Sequence, residues 1–181
     1  MTAHTLDPAA STIGPEMSDD TVPVSIGFDA LYRQEYPALI AVATALTGTL
    51  EDGEDAVQGT MLKAFVNWGR VGSLERPGGW CHRVLVNACR SLFRRRRTAA
   101  RWLAGRRRAE PSTDGPSPDV LAFWAAVRQL PERPRQVVAL HYAGDLAVEE
   151  IARILTVPEG TVRSDLTRAR AALRSELEDW R

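Results

Sequence analysis

Apolar residues recur along this chain at three- and four-residue steps, the spacing that gathers them on one side of a helix. The first run covers 28–46 (Phe28, Leu31, Tyr32, Leu39, Val42, Leu46), and Gly48 ends it. A second helix is predicted over 51–68, with Val57, Met61, Phe65 and Trp68 as its apolar face. Glu51, Asp52, Glu54 and Asp55 crowd its first turn, where the helix dipole favours acids. Residues 69–79 read as loop. A third helix over 80–97 buries Trp80, Val84, Leu85, Ala88 and Leu92. The pattern then fails over 98–118, where EPSTDGPSP forbids a stable helix. Periodicity returns over 120–181. No segment alternates apolar and polar residues as a strand does. The pattern therefore predicts an all-α protein of two small helical domains, 28–97 and 119–181, joined by a flexible linker over 98–118. Residues 1–27 lack periodicity and read as a disordered tail.

Within the last block, DLAVEEIARILTVPEGTVRSDLTRARAALR predicts helix, tight turn, helix. Ile151, Leu155 and Val157 supply an apolar seam, and Pro158 suits the first position of a helix because its φ is fixed and its missing N–H is not needed there. Val162, Leu166, Ala169, Leu173 and Leu177 then recur on one face of the second helix, while Arg163, Ser164, Thr167, Arg168 and Arg170 occupy the other. A helix that offers guanidinium forks and hydroxyls beside a compact partner helix suits a DNA major groove. That order of elements favours DNA binding over a solvated surface helix.

Charge changes the picture of the first domain. The 181 residues carry 23 basic and 23 acidic side chains, for a formal net charge of zero, but these are segregated. Residues 1–75 hold three basic groups against eleven acids, and residues 76–108 hold eleven arginines and no acid. An acidic and a basic surface on one molecule imply different partners for each. On the helix over 80–97, Arg83, Arg90, Arg94 and Arg97 line one face with Asn87 among them; arginine grips phosphates and asparagine bonds a base edge. Trp68 and Trp80 fit either core packing or stacking on an unpaired base. Zero net charge also predicts that the isolated chain binds DNA weakly.

Other classes find little support. Cys81 and Cys89 fall eight residues apart on a helix, which suits neither a disulfide framework nor a zinc site, even with His82 beside them. No Gly-rich phosphate loop, metal-spaced set or activated nucleophile is present, so neither an enzyme nor a cofactor is expected. No apolar run approaches the length of a membrane span, and a soluble, cytoplasmic protein is expected. A conventional helix-turn-helix regulator with an N-terminal sensing or dimerising domain is the alternative, and the arginine-lined helix argues against it.

Four segments together resemble bacterial RNA polymerase sigma factors of the extracytoplasmic-function, or group IV, type. FDALYRQEYPALIAVA is similar to the start of sigma domain 2, and EDGEDAVQGTMLKAF to the acidic segment that docks polymerase. PGGWCHRVLVNACRSLFRRR resembles the segment that melts and reads the −10 element. The stretch from LPERPRQ to RARAAL resembles domain 4, which reads the −35 element. The resemblance implies a polymerase contact at Asp52, Asp55 and Gln58. It implies a −10 surface of Trp80, Arg83, Asn87, Arg90 and Arg94, and a −35 surface of Arg163, Ser164, Thr167 and Arg168. Core RNA polymerase and promoter DNA are the implied partners, and an anti-sigma factor is a further candidate.

Three positions depart from the family pattern. Gly59 stands where Glu is usual. Thr156 replaces a frequent glycine in the turn, which is tolerable if its φ is negative. Asp165 stands where a basic residue is common; it could accept from a cytosine amino group, repel phosphates or pair with a neighbouring arginine.

Overall fold

The computed structural model describes residues 27–102 and 117–178. Residues 1–26 of the expected tail and residues 103–116 of the expected linker lie outside the described residues. Among the described residues every regular element is helical, as the periodicity predicts. The N-terminal unit comprises α1 (Phe28–Thr47), α2 (Leu50–Val66), one turn of α3 (Trp68–Val71) running from the expected end of the second helix into the expected loop, and α4 (Pro77–Trp102), which starts three residues earlier than expected because Pro77 suits a helix's first turn. The C-terminal unit comprises α5 (Pro118–Gln129), α6 (Glu132–Val138) running into a π turn (Ala139–Ala143), α7 (Val148–Leu155) and α8 (Glu159–Glu178). Helix α4 continues five residues beyond the expected end at 97, because Thr98, Ala99, Ala100, Arg101 and Trp102 contain no breaker.

Local chemistry fixes the α1–α2 hairpin. Gly48 closes α1 at φ +93°, donating its N–H to the Thr44 carbonyl at 2.8 Å. Thr49 then caps α2, its hydroxyl oxygen accepting the Asp52 N–H at 3.2 Å. The two helices cross closely at Gly53, where a Cβ would stand 2.7 Å from the Thr44 hydroxyl oxygen.

The buried faces depart from expectation in two places. Phe65 is 61% exposed, and α2 buries Val57, Thr60, Met61 and Ala64 instead. Phe65 lies at the edge of that stripe and meets Phe28 in an edge-to-face pair, with centroids 5.2 Å apart. On α4, Trp80, Val84, Ala88 and Leu92 are half-buried, while Cys81, His82, Leu85, Val86 and Cys89 face inward. Both stripes run at four-residue steps, so spacing alone does not choose between them.

The two units do not hang apart. Leu39 and Val42 of α1, Val57 and Met61 of α2, and Leu85 and Cys89 of α4 form one apolar cluster. The same cluster continues into Leu140 of the π turn, Ile151 and Ile154 of α7, and Val162 and Leu166 of α8. A smaller cluster of Val127, Val138, Ala169 and Leu173 fastens α5 to α6 and α8.

The turn between α7 and α8 corrects another expectation. Thr156 sits in the left-handed region at φ +57°, not at negative φ. A β-branched residue there carries a backbone penalty that glycine avoids, of about 1–2 kcal/mol. Thr156→Gly is expected to raise stability by about 1 kcal/mol, since glycine also loses more entropy on folding. Thermal melting checks this, and an unchanged or lower midpoint refutes it.

Candidate nucleic-acid interface

Helix α8 is presented by the turn before it. The Pro158 carbonyl accepts the N–H groups of Thr161 and Val162, at 2.9 and 3.3 Å, which places Pro158 at the cap rather than within the helix. Val162, Leu166 and Ala169 are buried beneath, so Arg163, Ser164, Thr167 and Arg168 stand together on the exposed side, as expected. Short-range bonds orient them. Arg163 pairs with Glu159 at 2.9 Å, and the Ser164 and Thr167 hydroxyls donate to the carbonyls of Gly160 and Arg163.

Of the three readings open for Asp165, the structure supports pairing. Its carboxylate is 1% exposed and lies 2.6 Å from Arg133 Nε and 3.0 Å from Arg168 Nη2. Its hydrogen bond and charge push the Arg133 guanidinium above its ordinary value. On the buried side of α8, Asp165 holds Arg168 and ties α6 to α8 through Arg133. Arg170 points elsewhere and donates to the Tyr142 hydroxyl at 2.8 Å.

The acidic end of α2 separates into two kinds of residue. Asp52 is half-buried and spent on the helix start, with its carboxylate accepting from the Thr49 hydroxyl. Asp55 and Gln58 are exposed on the outer side. Beyond them on the same helix, Leu62 is 63% exposed, Phe65 61% and Val66 72%. Sequence reasoning missed this apolar surface, although Leu62 and Val66 fall off the buried stripe and signalled it. Gly59 has open space where a Cβ would stand, so packing does not require glycine there.

Helix α4 carries the remaining predicted residues. Arg83, Asn87, Arg90 and Arg94 are exposed at seven-, four- and three-residue steps, on the face opposite Leu85 and Cys89. Trp80 is half-buried against the core cluster and lines a cavity of about 580 Å³ between α1, the start of α4 and α7. His82 also lines that cavity; it is 2% exposed, its Nε2 lies 3.5 Å from Glu35, and neither ring nitrogen has a hydrogen-bond partner. The Glu35 carboxylate lies against Gly78, where a Cβ would stand 2.3 Å from it.

Arg83 and Arg90 also reach the second unit. Arg83 Nε donates to the Ile154 carbonyl at 3.1 Å and its Nη2 donates to the Arg153 carbonyl, while Arg90 pairs with Glu132 at 2.6 Å. Arg135 lies over the Phe93 ring at 4.0 Å, and burial lowers its basicity. No signal within 80–97 reveals these acceptors, which come from α6 and α7.

Both thiols are buried. Burial pushes Cys81 and Cys89 up to about 12, with the Glu35 charge adding to the rise at Cys81. They lie about 12 Å apart along one helix, too far to join. Among the described residues no cluster of three metal-ligating side chains occurs, and no helix is long and apolar enough to cross a membrane.

Comparison with known proteins adds to this geometry. The family description Sigma-70 region 2 matches residues 31–99, and Sigma-70, region 4 matches residues 121–173. The chain is 36% identical over 149 residues to the ECF RNA polymerase sigma factor SigM of Mycobacterium tuberculosis, covering 81% of this chain and 74% of that one. It is 28% identical over 171 residues to the ECF RNA polymerase sigma factor SigW of Bacillus subtilis, covering 86% and 87%. Among solved structures it resembles the sigma factor RpoE bound to the anti-sigma factor NepR from Bartonella quintana, with a TM-score of 0.66 and 28% identity over 83% of this chain and 96% of that one. The fold is also similar to CnrH in complex with the cytosolic domain of CnrY, at a TM-score of 0.60 and 24% identity, covering 84% and 88%.

Proposed function

Since the chain belongs to the sigma-70 family, in its extracytoplasmic-function group, we propose that its two helical units divide promoter recognition between them. The protein is a sigma factor that directs core RNA polymerase to promoters. In this division residues 28–97 serve as sigma domain 2 and residues 119–181 as sigma domain 4, with 98–118 between them. Asp55 and Gln58 contact polymerase beside the apolar Leu62, Phe65 and Val66, and Asp52 supports them by capping α2. An interface of that kind has an apolar centre with a polar rim.

Trp80, Arg83, Asn87, Arg90 and Arg94 take the −10 strand once it is unpaired. Unstacking a base costs a few kcal/mol, and contacts made only to the exposed base offset that cost and give selectivity. Arg163, Ser164, Thr167 and Arg168 read the −35 duplex. The chain acts by binding, and the chemistry is the polymerase's. Matches to both sigma regions leave a ligand-sensing regulator unfavoured. An anti-sigma factor is a proposed third partner, supported by the relative bound to NepR.

The observation that carries the −35 assignment is the exposed quartet on α8, with Arg168 held by the buried Asp165. Arg168→Ala is expected to lower transcription from −35-dependent promoters about tenfold, the scale of one good base contact. Recovery of core polymerase in a pull-down should stay unchanged. If core recovery falls in parallel with transcription, the assignment is wrong.

A further inference from the structure

Three helices wall the cavity of about 580 Å³: α1 with Leu31 and Glu35, the start of α4 with Trp80 and His82, and α7 with Glu150 and Ile154. That volume suits a small organic ligand. The rim is charged, but its charges are largely spent on one another. Arg76 lies between Glu75 at 3.9 Å and Glu150 at 3.3 Å, and Arg83 donates to the Ile154 and Arg153 carbonyls. Arg153 is exposed to solvent.

The floor is different. The Glu35 side chain is 17% exposed, and among the described residues no arginine or lysine lies within ion-pair distance of it. Its carboxylate stands 3.5 Å from His82 Nε2, too far for a good hydrogen bond. His82 is 2% exposed, and neither of its nitrogens has a partner. A buried polar group left unpaired costs free energy, so this pair is incomplete as it stands. The unneutralised charge is felt nearby, where it adds to the rise at the Cys81 thiol. Leu31, Leu74, Leu146 and Ile154 make the surrounding wall apolar, and Trp80 adds an aromatic face. Gly78 leaves room for the carboxylate, because a Cβ there would collide with Glu35 Oε1.

We propose that this cavity binds a small organic amine, a protonated amino group on an apolar or aromatic body. The ammonium donates to the Glu35 carboxylate, and a short shift of that carboxylate brings it into hydrogen-bonding range of His82 Nε2. The body lies on Trp80 and the aliphatic wall, where an indole face also attracts a cation. Charge-assisted hydrogen bonds of this kind are the strong ones, and an anion of the same shape is repelled by Glu35. Glu35 and Gly78 belong to neither the polymerase nor the DNA surfaces proposed above, and the inference stands independently of them. Because both units supply walls, occupancy stabilises the folded chain and raises its melting temperature.

The probe is phenethylamine, titrated into the full-length chain without polymerase at neutral pH, where an alkylamine is charged. Phenylacetate is the anion of matching shape. The readout is the Trp80 indole N–H signal in NMR spectra, identified by its loss in W80F. Phenethylamine is expected to shift that signal saturably at about millimolar concentration, the scale for so small a ligand, and to raise the melting temperature. Phenylacetate is expected to do neither. E35Q keeps the shape of the side chain and should weaken amine binding about tenfold, the cost of one charge-assisted hydrogen bond. G78A, which displaces the carboxylate, should weaken it to a similar degree. Equal binding of phenylacetate, an amine affinity unchanged in E35Q, or no shift at Trp80 overturns the proposal. Circular dichroism checks folding; should E35Q melt early, G78A decides, and full affinity there refutes the site.

Discussion

Replacing Leu140 with alanine is expected to lower the melting temperature of the core-free chain by about 10 °C. Leu140 is fully buried, and the π turn that carries it packs on α1. A Cβ at the neighbouring Gly144 would stand 2.8 Å from Val42 Cγ2, which shows how tightly this turn meets the first unit. Removing a buried leucine costs about 2–5 kcal/mol, through lost transfer energy and the cavity left behind. Each kcal/mol is worth about 2–4 °C in a chain of this size. The loss falls on the seam, so the variant should also scatter as a more open particle. A change below 3 °C would mean that the seam does not contribute to stability as the shared core implies.

Arg83→Ala is expected to lower −10-dependent transcription by about tenfold to a hundredfold, the range for a lost charge-assisted hydrogen bond. Two effects meet at this residue. Loss of the guanidinium removes the proposed contact to the displaced strand and also releases the grip on α7. The second effect loosens the packing of the units, but the strand still lacks its arginine. Promoter output should therefore fall although the units part more readily, and recovery of core polymerase should not change. Run-off transcription on a promoter with a mutated −10 element checks the assignment. If Arg83→Ala keeps wild-type output on the intact promoter, Arg83 does not contact that strand.

Much of the fold was legible in residue spacing. The helices, the break at Gly48 and the exposed arginines of α8 follow from three- and four-residue periodicity and from Gly and Pro chemistry. The exposed side of α4 was legible too, since Arg83, Asn87 and Arg90 share it. Its buried stripe was misplaced, because cysteine and histidine pack inward here while tryptophan stays half-exposed. Phe65 was misassigned for a related reason: an aromatic ring at the edge of a stripe looks the same in sequence as one at its centre. What periodicity does not encode is contact between distant segments. Arg90 meets Glu132, and Asp165 sinks between Arg133 and Arg168, through tertiary packing alone. The left-handed turn at Thr156 shows the same limit, since the backbone imposes a conformation that its residue does not favour.

The continuous apolar cluster has a thermodynamic consequence for assembly. Separating the units wets Leu140, Ile151 and their neighbours on α1 and α4, and wetting hydrocarbon raises heat capacity. Docking onto the enzyme dehydrates other surfaces and lowers it. The two contributions oppose each other, so calorimetry of holoenzyme formation would record a heat-capacity decrement smaller than the new interface alone would give.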